Sequence, residues 1–386
     1  MYARLLKKPL VNQNSFFLFG PRSTGKTYWL KSKLQDCLYF DLLEATNFNR
    51  FFANPQFLED AIPVGYKKWI IIDEIQKAPA LLDEVHRLIE KHHYKFILTG
   101  SSARKLRHGG VNLLAGRALT YYLHPLTALE LGPDFALKTS LLYGGLPGVI
   151  TAHEPQKVLA SYIQTYLYQE VQQEGLTRNL ENFARFLETA SFSQGAILNI
   201  AAIARDCGVK RKLAESYFEI LYDLLIGYQL PPFTRHAKRR LITHSKFYFF
   251  DVGVYRAIRP RGPLDLEEMI DGPALETLFL QQLRAINDYY ELDYKLYYWR
   301  TSNGLEVDFV VYGPKGMQAF EIKRSNKWSE SDLKGLKALK KDYTVVQCHL
   351  IYLGNKTTTF RDIKILPFTK TLEDLPIILA NTQRTM

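Results

Sequence analysis

The residues Gly20-Pro21-Arg22-Ser23-Thr24-Gly25-Lys26-Thr27 fit the pattern GxxxxGK[ST] in full. An apolar run, Ser15-Phe-Phe-Leu-Phe19, precedes them and a helix-forming stretch from Tyr28 to Leu34 follows. Strand, glycine loop and helix in that order constrain the chain more than any other feature. They predict an α/β fold with a phosphate site at a helix N-terminus. Glycines let backbone N–H groups surround phosphates, and the helix end adds partial positive charge. Lys26 is placed to reach the β- and γ-phosphates of ATP, and the Thr27 hydroxyl to hold Mg²⁺.

Trp69-Ile-Ile-Ile-Asp73-Glu74 supplies the other half of such a site. Four apolar residues make a strand buried on both faces, which delivers two carboxylates at its C-terminal end, where ligands bind in open α/β sheets. Asp73 is expected to hold Mg²⁺ through water, and Glu74 to polarise the water that attacks the γ-phosphate. Cys37–Asp41, Lys95–Thr99 and Ala118–Leu123 complete five predicted strands in a parallel sheet.

Residues 140 to 195 read as mainly helical. Asn199–Gly208 is a short helix stopping at glycine, and Val209 opens a second one through about Leu225. Tyr228–Leu230 and Lys246–Phe250 read as strands joined by a basic stretch, so the segment is expected to form a winged helix-turn-helix. Beyond Pro263 a helix, three strands (Leu296–Arg300, Glu306–Val311, Gln318–Lys323), a Lys-rich helix and a last strand predict a third unit. The expected domains are 1–135, 136–258 and 259–386.

Length and composition fit this division. The 386 residues are 47% hydrophobic and 23% charged, which excludes a wholly disordered or low-complexity chain. No apolar run reaches the ~18 residues that span a bilayer. The start lacks the apolar core of a signal peptide, and three scattered cysteines exclude a disulfide framework. A cytoplasmic protein without a membrane partner is expected.

The net charge is +11, and it is not evenly spread. Arg205 to Lys246 holds nine basic and four acidic residues. Lys210, Arg211 and Lys212 lie at the turn before the presumed recognition helix; Arg235, Lys238, Arg239, Arg240 and Lys246 lie on or beside the wing. Clustered positive charge points to DNA, held by phosphate contacts that position without reading sequence. A solvated basic face, or a winged helix that docks protein, is the alternative.

The chain resembles the AAA+ superfamily, specifically the bacterial and archaeal ATPases that join an AAA+ module to a C-terminal domain of uncertain function, DUF4143. The resemblance rests on Leu18–Thr27, Ile72-Asp-Glu-Ile-Gln76, Ile97–Ser102, Leu114-Ala-Gly-Arg117, Gly144–Gly148, Lys246–Gly253, Glu306–Phe309 and Glu321–Lys323. It implies that Ser101 senses the γ-phosphate and that Arg117 is an arginine finger inserted into a neighbour's site, which requires an oligomer, a ring of six being expected. An ordinary salt bridge is the other reading of Arg117. No second sensor arginine is identifiable in the helical part.

Glu276, Asp308 and Glu321-Ile-Lys323 form the pattern E…D…ExK. Alternation puts Glu321 and Lys323 on one face of their strand, and likewise Glu306 and Asp308 on one face of theirs. Two such strands can aim acids and a lysine at one point, where one or two Mg²⁺ could bind. This resembles the PD-(D/E)XK nuclease superfamily, although Asp308 follows Val rather than Pro. Lys323 could equally do no more than neutralise Glu321 and Asp308. The sequence therefore predicts an oligomeric ATPase with Mg²⁺ as cofactor that remodels, unwinds or branch-migrates forked or branched DNA. An ATP-gated nuclease and a nucleotide-dependent switch are the alternatives.

Overall fold

A computed structural model describes residues 2–101, 114–167, 171, 179–235, 240–260, 262 and 267–380. Phe16–Phe19 (β1) leads through the glycine loop to the helix Lys26–Lys33 (α1), then to Leu38–Asp41 (β2) and Trp69–Asp73 (β3). Both β1 and β3 are buried at every position, as apolar runs must be in a sheet covered on both faces. Leu81–His92 (α2), Lys95–Gly100 (β4) and Leu119–Tyr122 (β5) complete this part.

The five strands stand in the order β2-β3-β4-β1-β5, and every pairing is parallel. The predicted parallel sheet is what the chain builds. All five C-terminal ends therefore lie along one edge. The glycine loop after β1, Glu74 after β3 and Ser101 after β4 open from it, whereas Arg117, just before β5, belongs to the opposite edge. Phe17, Phe19, Ile70, Ile72, Phe96 and Leu98 pack with Leu81, Leu82, Val85 and Leu88 of α2 to form the core.

The chain divides into two compact units, one of residues 1–124 with 223–225 and the other of the remainder. The second takes in both the middle segment and the C-terminal sheet. Its helices include Leu137–Tyr143 (α3), Leu180–Ser191 (α4), Ile200–Asp206 (α5) and Arg211–Asp223 (α6). Gly227–Leu230 (β6) pairs antiparallel with Lys246–Phe249 (β7). Val252–Ile258 (α7) and Glu267–Tyr289 (α8) follow.

The C-terminal sheet is mixed. It contains Lys295–Arg300 (β8), Glu306–Gly313 (β9), Gly316–Lys323 (β10), Gln347–Tyr352 (β11), Thr358–Phe360 (β12) and Ile363–Pro367 (β13). The strand order is β12-β13-β11-β10-β9-β8. Lys334–Asp342 (α9) and Phe368–Ala380 (α10) accompany it. Trp299, Val307, Val310, Leu336, Leu339 and Leu350 are among its core residues.

Two features of this unit differ from expectation. The described flanks of the basic stretch between β6 and β7 are tied down by backbone hydrogen bonds. Phe233 N donates to Tyr298 O at 2.7 Å, Tyr298 N to Pro231 O at 3.0 Å and Ile242 N to Arg300 O at 3.1 Å, so its flanks run along β8. Phe233 belongs to the core of the C-terminal sheet, and its burial holds the segment down. Lys246, expected beside the wing, is buried instead. The tip residues Lys238 and Arg239 lie outside the described residues.

Asp251 fastens the middle segment. Its carboxylate accepts from Gly253 N at 2.9 Å and Val254 N at 3.0 Å, capping α7, and from Gly145 N at 2.8 Å. A Cβ on Gly253 would stand 2.2 Å from Tyr143 O, and one on Gly144, at φ +75°, would meet the Asp251 carboxylate. Those two positions therefore demand glycine.

Candidate functional site

The glycine loop bends where its residues permit it: Gly25, the N-cap of α1, has φ 91° and Ser23 has φ 65°. A Cβ on Gly20 would approach Leu123 O to 2.4 Å, so the loop is seated against the end of β5. Lys26, buried, donates to Gly20 O at 2.7 Å and Pro21 O at 3.3 Å, which holds its ammonium over the loop. Thr24 Oγ1 donates to Pro21 O at 2.8 Å. Pro21 and Arg22 carry the backbone between them.

Thr27 Oγ1 donates to Asp73 Oδ2 at 2.9 Å. That joins α1 to the end of β3 and brings together the two residues expected to hold Mg²⁺. A buried carboxylate beside an exposed hydroxyl is a hard, oxygen-only donor set that suits this ion. Two residues without an expected role also serve Asp73: the Tyr39 hydroxyl donates to Oδ2 and the Thr99 hydroxyl to Oδ1. Burial, and next the Asp73 charge, push the Tyr39 phenol well above its ordinary value, so it remains a donor.

Glu74 sits at φ 61°, ψ 46°, in the left-handed region. For a residue with a Cβ this costs roughly 1 kcal/mol or more, and such strain gathers at functional positions. The bend turns the chain off the strand and leaves the Glu74 side chain half-exposed at the sheet edge. Gln76 Nε2 donates to Glu74 Oε2 and, at 3.3 Å, to Ser101 Oγ. The expected water-activating acid and the expected phosphate sensor are thus tied by a buried glutamine. Gln76 stood inside the motif Ile72–Gln76 but was given no role from sequence. Arg117 is exposed and pairs with Glu90 of α2.

A second cluster lies in the C-terminal sheet. Glu276 on α8, Asp308 on β9 and Glu321 on β10 interact electrostatically with one another, and Lys323 Nζ stands 2.8 Å from Glu321 Oε1. The four expected residues are therefore brought together. Two more come from β7. Lys246 pairs with Glu306 and feels Glu276 and Asp308, and the Tyr248 hydroxyl donates to Glu276 Oε2 at 2.9 Å. Asp308 Oδ2 accepts from Ile322 N at 2.8 Å.

Burial, followed by the neighbouring Asp308, pushes Glu276 up to about 7, and Asp308 and Glu321 are raised also, burial first. Lys246 keeps its charge because the surrounding acids outweigh its burial. Among the described residues, no group of three or more His, Cys, Asp and Glu side chains could hold a metal ion. The cations that meet these acids are the chain's own Lys246 and Lys323.

The basic residues around α6 divide differently. Lys210, Arg211 and Lys212 are exposed, with Arg211 Nε 2.9 Å from Glu215 Oε1. Arg235 lies over the Tyr312 ring at 5.3 Å, and its carbonyl accepts from the Tyr343 hydroxyl at 2.8 Å. Arg240 is exposed. No helix among the described residues is long and apolar enough to cross a membrane.

Residues 12–132 match the AAA domain family, 134–265 a domain of unknown function, DUF8612, and 271–371 a domain of unknown function, DUF4143. Uncharacterized proteins of Mycobacterium bovis and Mycobacterium tuberculosis are each 28% identical over 361 residues, covering 91% of this chain and 79% of theirs. An uncharacterized protein of Haemophilus influenzae is 22% identical over 227 residues, 54% of this chain and 57% of its own. Among solved structures, the Aeropyrum pernix ORC1 protein in complex with DNA is 13% identical, over 64% of this chain and 86% of that one, with a TM-score of 0.23. A Vibrio cholerae protein is 11% identical, over 94% and 97%, with a TM-score of 0.22. Superpositions that loose carry no argument.

Proposed function

On a chain that carries an AAA domain at residues 12–132 and a DUF4143 domain at 271–371, we propose an oligomeric ATPase that binds DNA and couples hydrolysis to remodelling of forked or branched strands. The supporting observation is the convergence of Lys26, Thr27, Asp73, Glu74 and Ser101 on one edge of a parallel sheet.

The loop from Gly20 to Thr27 wraps the phosphates through backbone N–H groups, and Lys26 exchanges the Gly20 and Pro21 carbonyls for phosphate oxygens. Bound Mg²⁺ would supply neutralisation of phosphate charge. Thr27 and Asp73 are the residues that would hold it, with Tyr39 and Thr99 fixing the Asp73 carboxylate. Glu74 accepts a proton from the attacking water and orients it. Gln76 keeps Glu74 in register with Ser101. Arg117, at the far edge of its own sheet, serves the site of a neighbouring copy, and a ring of six is the assembly we favour.

DNA binding rests on Lys210, Arg211, Lys212 and Arg240, all exposed. They suit backbone phosphates, so binding is expected to fall steeply with salt. The organisation proposed is an ATPase domain to about residue 135, a helical and winged-helix segment to about 258, and the C-terminal domain beyond. The acids at Glu276, Asp308 and Glu321 are read as a core whose charge Lys246 and Lys323 compensate. Strand separation of labelled forked DNA tests the proposal. Wild type with ATP should separate the strands and Glu74→Gln should bind without separating them; inert DNA in both overturns remodelling.

A further inference from the structure

The Lys-rich helix α9 walls a basic pocket beside the C-terminal sheet. Lys337, Lys340, Lys341, Arg361, Asp362 and Ile363 line a cavity of about 290 Å³. Four cations and one carboxylate meet there. Lys337 is drawn by Glu330 at 2.9 Å and Lys340 by Asp362 at 3.2 Å. Lys341 and Arg361 are both exposed, and Arg361 feels the Glu330 charge that Lys337 also meets.

Spacing makes this costly. Lys337 and Lys341 stand i, i+4 on one helix, where like charges repel. The helix C-terminus offsets part of that cost for Lys340 and Lys341. Arg361 adds a second, independent oddity. Phe360 pairs with Ile363, so Arg361 and Asp362 are the two-residue loop between β12 and β13. Such loops need positive φ and favour Asn or Gly, yet Arg361 takes φ 51°. The turn therefore accepts strain to present a guanidinium beside the lysines.

Two of these cations also lie against an aromatic ring. The Phe360 ring has Lys337 Nζ at 5.2 Å and the Arg361 guanidinium at 5.5 Å from its centre, with Trp328 at 5.6 Å. The basic stretch expected to face DNA is anchored next to the same helix: Arg235 O accepts from the hydroxyl of Tyr343, the residue that ends α9.

We propose that this pocket binds the phosphodiester backbone of a nucleic acid strand, with Lys341 and Arg361 as the phosphate contacts and Lys337 and Lys340 released from their acids to join them. It extends the proposed DNA binding to a place on the C-terminal domain distinct from α5 and α6, and rests on that reading.

The test compares full-length wild type, Lys341→Ala/Arg361→Ala and Lys210→Ala/Arg211→Ala by fluorescence anisotropy with a labelled single-stranded and a labelled duplex oligonucleotide, across a salt series. Pyrophosphate and ATP serve as competitors, and unfolding midpoints check integrity. Removing two phosphate contacts should weaken binding roughly tenfold at moderate salt and flatten the log–log salt slope by about 2. The ATPase rate without DNA should not change. Binding of wild type with an unchanged constant and slope in Lys341→Ala/Arg361→Ala overturns the pocket alone. No binding by wild type overturns the DNA reading and the pocket with it. Pyrophosphate relieving binding only in wild type, at concentrations where ATP does not, would point to a free-phosphate site and equally overturn the strand assignment.

Discussion

Thr27 Oγ1 donates to Asp73 Oδ2 across 2.9 Å, linking the first residues of a helix to the last residue of a strand 46 positions on. Tyr39 and Thr99 converge on the same carboxylate from the strands on either side of β3. Asp73 is thus held from three elements, and its position does not depend on the glycine loop alone. Tyr39→Phe removes one donor and keeps the ring, so it should weaken Mg²⁺-dependent ATP binding several-fold while leaving the unfolding midpoint nearly unchanged. Titration of ATP at several Mg²⁺ concentrations checks this.

Gln76 predicts a division between binding and turnover. Gln76→Leu keeps volume and loses both donated hydrogen bonds, so Glu74 is no longer tied to Ser101. We expect turnover to fall roughly ten- to hundredfold, within the range of a misplaced general base, with KM for ATP changed less than threefold. Gln76→Asn should recover little, since its amide is one carbon shorter. Equal losses in turnover and in affinity would mean that Gln76 only supports the fold.

Arg117 is tested by mixing. Arg117→Ala should lose most turnover, since an arginine finger contributes a factor of about 10³ or more, yet bind ATP as wild type does. Combined with Lys26→Ala subunits, it should regain activity, because one partner supplies the finger and the other the intact phosphate loop. Mixtures as inactive as their components would return Arg117 to its ion pair with Glu90.

Lys246 carries a stability prediction. It is buried among Glu306, Glu276 and Asp308, and removing one partner of a buried charge set strands the others at a cost of about 3–5 kcal/mol. Lys246→Met should lower stability by that order in chemical denaturation at neutral pH. Its deficit should shrink as pH falls and the acids take up protons. A deficit independent of pH would mean that lost packing, not lost charge, is responsible.

Asp251 predicts a pH slope. Burial raises its carboxyl from 3.8 to about 6, against the three backbone N–H groups that favour its charge. A raised pKa means the folded state holds the proton more tightly. The resulting stabilisation is complete below about 3.8 and is lost as pH rises through about 6. The shift corresponds to about 3 kcal/mol. Asp251→Asn cannot titrate, so wild type measured against it should lose stability between pH 4 and 7. A flat difference would contradict the assignment.

The first third of the chain was readable because its strands are continuous apolar runs with motifs at their ends. Trp69–Asp73 matches its predicted bounds, and the five-stranded parallel sheet followed from it. Thr99 and Tyr39 were not readable, since a lone hydroxyl inside a strand has no periodic signature. Their role exists only once β2 and β4 flank β3. The same holds for Lys246. Its neighbours in sequence are basic, which suggested a surface wing, but its side chain is claimed by Glu306, sixty residues on. Strands β12 and β13 and helix α10 were missed: β12 is only three residues long, and Pro376 lies inside α10.

The central claim is that Glu74 activates water at a site built by Lys26, Thr27 and Asp73. Phosphate release measured on purified wild type, Lys26→Ala and Glu74→Gln, beside ATP binding on the same samples, tests it most directly. The account predicts Mg²⁺-dependent hydrolysis in wild type, loss of binding and turnover in Lys26→Ala, and in Glu74→Gln retained binding with turnover lowered at least a hundredfold, in line with loss of a general base. Hydrolysis by Glu74→Gln at the wild-type rate would contradict it.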